Sequence, residues 1–277
     1  MSYQDDLIAH LIEYKRSQLG APPAGTYRYR GRQVDREHIL PDQAKRLNFI
    51  EETREEIESF LRFNPQVKLH RYFHHLNSSQ AFAPNLFVPF FEGGSAASSA
   101  LLNAFGQRST LVDWEPESVP DPAEGTNLDA VWDTSDGVRT FCEVKLSERD
   151  FGKARSDPRH LDKLRRIYLP RLAQHMSPDL QDASSFFESY QILRNVWHLV
   201  GAPNGRLVFL TPRGNSRLQP MLQAVISRLS ESVQGRIRAV AIEDVLDRLG
   251  ADSNNSTRLR AYALKLRDKY VPTTSAT

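Results

Sequence analysis

Cysteine is almost absent. Cys142 stands alone, so no intramolecular disulfide can form, and zinc sites built from cysteine clusters are excluded. Long apolar runs are also missing: no stretch approaches the ~18 residues that span a bilayer. The N-terminal segment MSYQDDLIAHLIEYKRSQLG lacks the basic start and apolar core of a secretory signal. These absences predict a cytoplasmic chain with no membrane segment, in the reducing setting that one cysteine suits. Excess charge of one sign is lacking as well, with 36 Lys and Arg against 34 Asp and Glu, a net of +2. A polyanionic partner therefore cannot be inferred from the total and would need basic residues gathered on one face. P-loop, GxGxxG and GxSxG motifs are absent, which leaves nucleotide-driven and serine-hydrolase chemistry unsupported.

What is present is ordinary globular material: 277 residues, 40% hydrophobic and 25% charged, enough to bury a sizeable core. Asp5 or Asp6 is placed to cap a first helix carrying Leu7, Leu11 and Tyr14, which the Gly/Pro-punctuated, arginine-bearing segment 20–32 ends as a loop. Leu47, Ile50, Ile57 and Leu61 recur at helical spacing and predict one helix over 42–62, with Glu51, Glu52, Glu55, Glu56 and Glu58 as its solvated acidic face. A helix is expected over 95–105 and a strand over 109–114. Strands over 126–134 and 137–146 should meet at a tight turn, Ser135-Asp136-Gly137. Helices follow near 160–176 and 184–200, then an apolar strand over 206–210, a helix near 217–231 and a strand over 237–242. Helices near 243–249 and 257–270 close the order. The class is mixed α/β (α+β), a central mixed sheet flanked by helices. The organisation expected is a helical N-terminal extension over 1–69, a catalytic domain over 70–270 and a loose tail over 271–277.

The informative segment is GTNLDAVWDTSDGVRTFCEVKLSE, residues 125–148. Two-residue alternation puts Asp129 on one face of the first strand and Glu143 and Lys145 together on one face of the second. If the hairpin is in register, two carboxylates meet one cation with a lysine beside them. That set suits phosphodiester hydrolysis. Carboxylate oxygens hold Mg²⁺, with Mn²⁺ as a substitute, and the ion lowers the pKa of a bound water and offsets charge on the phosphate. The lysine orients or activates that water, and the Val144 carbonyl is also placed to reach the ion. An E-x-K on an exposed strand is common, however, and spacing alone does not decide between catalysis and coincidence.

The order and the residues together resemble the PD-(D/E)xK nuclease superfamily, whose core is α-β-β-β-α-β. Asp129 falls on its first acid, and Glu143 and Lys145 on its (D/E)xK. Leu128 stands where the motif has proline. HHLNSSQAFAPNLFVPFF, TNLDAVW, CEVKLSERDFG and YQILRN are similar, more narrowly, to a bacterial family of restriction endonucleases in that superfamily, over about residues 70–212. The resemblance implies a metal-dependent endonuclease cutting double-stranded DNA, in host defence or DNA processing. Gln191 falls where related nucleases carry a Gln supporting the metal water or the substrate; a plain helix-surface Gln is the other reading. Glu92 and Glu115 are the candidates for a third acid, with Glu115 preferred.

Ser78, Ser79 and Gln80 are candidates for phosphate or base contacts, against a plainer reading as helix caps. Lys153 and Arg155 follow the active strands and are the preferred phosphate cations. His70, His74 and His75 have no acid or cysteine nearby to complete a zinc site. A homodimer would let two sites cut two strands, though no residue demands one. Two rivals stay open: a repair, RNA or structure-specific nuclease on the same fold, and a non-catalytic DNA-binding or assembly module that keeps it.

Overall fold

The computed structural model describes residues 2–272; the expected tail lies outside them apart from residues 271 and 272. In chain order the elements are α1 (Tyr3–Gln18), β1 (Gly25–Tyr29), β2 (Arg32–Arg36), α2 (Arg54–Phe63), α3 (Ser79–Phe91), α4 (Ser95–Ala104), β3 (Leu111–Ser118), β4 (Leu128–Thr134) and β5 (Arg139–Val144). They continue with α5 (Pro158–Lys163), α6 (Leu169–Leu172), α7 (Pro178–Gln181), α8 (Ala183–Glu188), α9 (Tyr190–Gly201), β6 (Gly205–Thr211), α10 (Leu218–Ile226), α11 (Glu231–Gln234), β7 (Ile237–Ala241), α12 (Ile242–Ala251) and α13 (Thr257–Tyr270). Two compact units result. One comprises Met1–Leu111, Pro212–Gly214 and Ala241–Thr277; the other comprises Val112–Thr211 and Asn215–Val240. Among the described residues no helix is long and apolar enough to cross a membrane.

The second unit carries a five-stranded sheet in the order β3-β4-β5-β6-β7. It is mixed, because β4 and β5 run antiparallel while β5 and β6 run parallel. The β4–β5 turn closes where the sequence places it. Gly137 has φ +77° and donates its amide to the Thr134 carbonyl at 2.8 Å, a conformation for which glycine has no Cβ penalty. Helix α9 packs one apolar stripe on the sheet, so that Leu193, Val196 and Trp197 share a core with Val131, Phe141, Leu207 and Phe209. Burial of each such side chain is worth about 1.5–3 kcal/mol.

The first unit is mainly helical. Its α3 is buried almost all round despite Pro84 and Pro89 inside it. Pro89 has no N–H to give the Asn85 carbonyl one turn back, and the Tyr262 hydroxyl donates to that carbonyl instead, at 2.8 Å. The Asn85 side chain accepts from Ile50 N at 2.9 Å and donates to the Ala81 carbonyl at 2.7 Å. This explains why 42–62 is not one helix. It forms two short 3-10 turns (Asp42–Asn48 and Glu51–Thr53) before α2, since Phe49 and Ile50 are extended and the Asn48 carbonyl and Ile50 amide serve Asn85 rather than a helical ladder. The expected helix over 160–176 is likewise interrupted by a π turn at Leu164–Tyr168, just ahead of Pro170. The helix expected over 184–200 splits at Ser189 into α8 and α9. At the N-terminus Ser2, not Asp5 or Asp6, caps α1; Asp5 returns the bond in a capping box. The largest departure is the arginine-bearing loop, which is a β-hairpin, β1–β2, paired from Gly25↔Arg36 to Tyr29↔Arg32.

Candidate active site

The β4–β5 register pairs Ala130 with Cys142, so Asp129 and Glu143 are the next facing residues on the same side of the sheet. Asp129 Oδ2 accepts the Val144 amide at 2.6 Å, a bond across the two strands that fixes the carboxylate. Lys145 follows the last strand residue. Its own amide is held by the Leu210 carbonyl of the neighbouring strand at 2.9 Å, and its Nζ reaches Glu143 Oε1 at 2.8 Å. Gln191, in the first turn of α9, closes a triangle. Its Nε2 donates to Glu143 Oε1 at 2.6 Å and its Oε1 accepts from Lys145 Nζ at 2.9 Å. The four residues expected to do chemistry are therefore brought together, and Glu143 and Lys145 are only 4% and 7% exposed.

Sequence reasoning passed over two further groups here. Asn195, one turn beyond Gln191 on α9, donates to Glu143 Oε2 at 3.2 Å, while its own Oδ1 is buried with no hydrogen-bond partner. The i, i+4 spacing in QILRN was the available signal. Gly152, with φ +89°, lies so close to Gln191 that a Cβ there would stand 2.9 Å from its Oε1.

The electrostatics follow from burial and like charge. Burial first, then the charges of Glu143 and Glu117, push the Asp129 carboxyl well above the usual range. Burial works against the Lys145 ammonium, but Glu143, Glu148 and Asp129 outweigh it and hold its pKa above the ordinary lysine value.

Not every expected group joins. Glu115 lies on β3 with its Oε2 taken by the Ser118 hydroxyl at 2.6 Å. Among the described residues no three His, Cys, Asp or Glu side chains are gathered to hold a metal ion. Glu115 therefore does not make a third carboxylate of the pair, and Glu117 is the β3 acid whose charge acts on Asp129. The Val144 amide is held by Asp129 Oδ2. Glu92 ends α3. Lys153 is ion-paired with Glu188, while Arg155 is exposed beyond it. Ser78 caps α3 through the Ala81 amide, Ser79 begins that helix, and Gln80 ties down Lys68 and His70 by its amide group.

A second buried cluster supports α9 from its other end. Glu124 is fully buried; its Oε1 accepts from the Tyr168 hydroxyl at 2.6 Å and from Thr126 at 2.8 Å. His198 Nε2 stands 3.4 Å from Oε2, close enough for attraction though not aligned as a hydrogen bond. Lys163 approaches Oε1 at 3.7 Å. Burial alone would raise the Glu124 pKa. His198, Tyr168, Thr126 and the charge of Arg194 reverse that and hold it at about 2. Tyr168 also meets Tyr190 at 3.0 Å, so the helix bearing Gln191 and Asn195 is fixed at two points.

A mixed sheet flanked by helices, with an acid on one strand and E-x-K on the next, defines a restriction-endonuclease-like protein. The particular family follows from comparison with known proteins. The family model described as "Restriction Endonuclease associating with ARP" matches residues 9–271, and the chain belongs to that family. No curated protein and no solved structure matches it.

Proposed function

We propose that this chain is a metal-dependent endonuclease of the PD-(D/E)xK type that hydrolyses double-stranded DNA. The observation that carries the reading is the meeting of Asp129, Glu143 and Lys145 across the β4–β5 register, locked by Gln191. Ionising both carboxylates beside one ammonium would leave this buried cluster one negative charge in excess, and burial together with the Glu143 and Glu117 charges opposes that by raising the Asp129 pKa. A hard divalent cation fits that surplus, because Mg²⁺ needs only one or two carboxylates and takes its remaining ligands from water and phosphate. When bound, it would acidify a water and offset charge on the scissile phosphate.

The chain's own groups do the rest. Asp129, fixed by the Val144 amide, and Glu143, fixed by Gln191 and Asn195, are held in place before any cation arrives. Lys145 Nζ, with two of its three N–H donors held by Glu143 and Gln191, would offer its positive charge and remaining N–H to the attacking water or a phosphate oxygen. Gln191 sets where that ammonium points.

The test is cleavage of mixed plasmid and phage DNA with Mg²⁺, Mn²⁺ or EDTA, comparing the native protein with Asp129→Ala and Lys145→Ala. Metal-dependent cutting by the native protein, reduced about 10²–10⁴-fold or more in each variant, is expected. Absence of cutting by the native protein, with metal binding unchanged in Asp129→Ala, overturns the reading.

A further inference from the structure

Charge is not spread evenly over the chain. The twelve residues of the hairpin from Gly25 to Arg36 hold four arginines against one aspartate, while the whole protein carries only +2. All four arginines are exposed, and among the described residues none of them forms an ion pair. Several surface cations elsewhere are neutralised, among them Arg46 by Glu58, Lys153 by Glu188, Arg213 by Asp244, Arg228 by Asp179, Arg258 by Glu56 and Arg267 by Asp247. Four exposed arginines within twelve residues, with no ion pair among them, make the hairpin a dense local patch of open positive charge.

Its geometry is equally specific. Strand alternation puts Tyr29 and Arg32 on one face and Arg28 on the other, with Arg30 at the tip. Arg30 and Gly31 both have positive φ, +49° and +81°, the signature of a tight type I′ turn where Gly or Asn would be easier. Holding an arginine there costs about 1 kcal/mol, a strain that points to use of its side chain. Arg30 lies over the half-exposed Tyr29 ring at 5.3 Å. The base, by contrast, is rigid. The buried Lys15 ammonium donates to the carbonyls of Pro23, Glu37 and Ile39, each at 2.8 Å, gripping both legs. Gly25 passes so close to Leu40 that a Cβ would meet its carbonyl oxygen at 2.2 Å. Tyr27 packs against Tyr72 and His75 at 6.3 and 5.3 Å.

We infer that the β1–β2 hairpin is a DNA-holding arm, in which Arg28, Arg30 and Arg32 neutralise backbone phosphates of duplex DNA. The inference rests on the nuclease reading for its choice of polyanion. A two-stranded ribbon fits the major groove, and cations on both faces and at the tip meet the phosphates on both walls. Beside the single Tyr29 ring, the exposed side chains of the tip are arginines, with no aliphatic group to enter a lipid surface.

Binding of a fluorescein-labelled 30-base-pair duplex by anisotropy in EDTA, from 50 to 300 mM salt, separates this proposal from catalysis. The variants are Arg28→Ala/Arg30→Ala/Arg32→Ala, the matching triple Lys variant, and Arg258→Ala/Arg267→Ala. The last removes charge from paired sites. Each phosphate contact contributes about 0.9 to the salt slope, or roughly eightfold in affinity at 0.1 M salt. Loss of two or three contacts should weaken binding roughly 60- to 500-fold and flatten the slope by about 2–3. The Lys triple should retain most of the affinity, and the paired-site variant should bind like the native protein. An Ala triple binding within twofold of native overturns the arm, as does equal weakening in the paired-site variant or native binding confined to single strands. If the native protein binds through the hairpin but never cuts, the arm stands and the nuclease reading falls. If it cuts while the Ala triple binds normally, the reverse holds.

Discussion

Replacing Glu124 with glutamine keeps the shape of a fully buried side chain and removes its charge. The wild-type carboxylate sits at a pKa of about 2 against an ordinary 4.5, and each unit is worth about 1.4 kcal/mol. The charged form therefore stabilises the fold by about 3 kcal/mol at neutral pH, an upper figure because the His198 contact is long. Because the folded-state pKa is depressed, this contribution is complete above about 4.5 and fades as pH falls toward 2. At pH 3 about 1.4 kcal/mol remains. Glu124→Gln should thus unfold more easily than wild type at pH 7, with the difference more than halved at pH 3. All three tryptophans, Trp114, Trp132 and Trp197, lie in the unit that contains Glu124. Tryptophan fluorescence in urea therefore reports that unit directly. The same substitution should lower the cutting rate, since α9 loses one of its two anchors. Equal stability at pH 7, or a deficit that does not shrink at pH 3, refutes the assignment of a stabilising buried charge.

Two further outcomes concern the site. Gly152→Ala forces a side chain into positive φ and against Gln191; it should cost about 1 kcal/mol or more in a denaturation curve and slow single-turnover cleavage about tenfold by moving Gln191 off Lys145. Normal cleavage in that variant would show that the Gln191 position is not needed. Asp129 must be ionised to hold a cation, and its carboxyl is raised by burial, Glu143 and Glu117. Magnesium affinity, followed by calorimetry between pH 5 and 8, should therefore climb with pH beyond the ordinary aspartate range. Metal-free stability should fall over the same interval, because the folded state holds that proton more tightly than the unfolded chain. A flat affinity profile contradicts this.

The site's centre was legible because period-two alternation and one glycine turn determine register: once Ser135-Asp136-Gly137 closes the hairpin, Asp129 must face Glu143. Gln191 was legible only through resemblance, since nothing in an amphipathic helix marks which polar residue turns inward. Glu124, Tyr168 and His198 were not legible, because they meet from three distant segments through burial rather than through any local pattern. The helix expected over 42–62 failed for a related reason. The helical periodicity is real, but the Asn85 side chain takes the Ile50 amide. The β1–β2 hairpin was hidden by composition. Its strands are mostly exposed, so they show no apolar alternation, and the arginines look like loop residues.

Lys15 gives that hairpin one more property. Its three acceptors, Pro23, Glu37 and Ile39, all lie outside the paired strands. The Lys15 part of the anchorage is therefore independent of the ribbon's own side chains. Residues 28–33, outside both the Lys15 bonds and the Tyr27 packing, can change length or charge without touching the socket, so selection or an engineer can exchange the outer end while the handle stays the same.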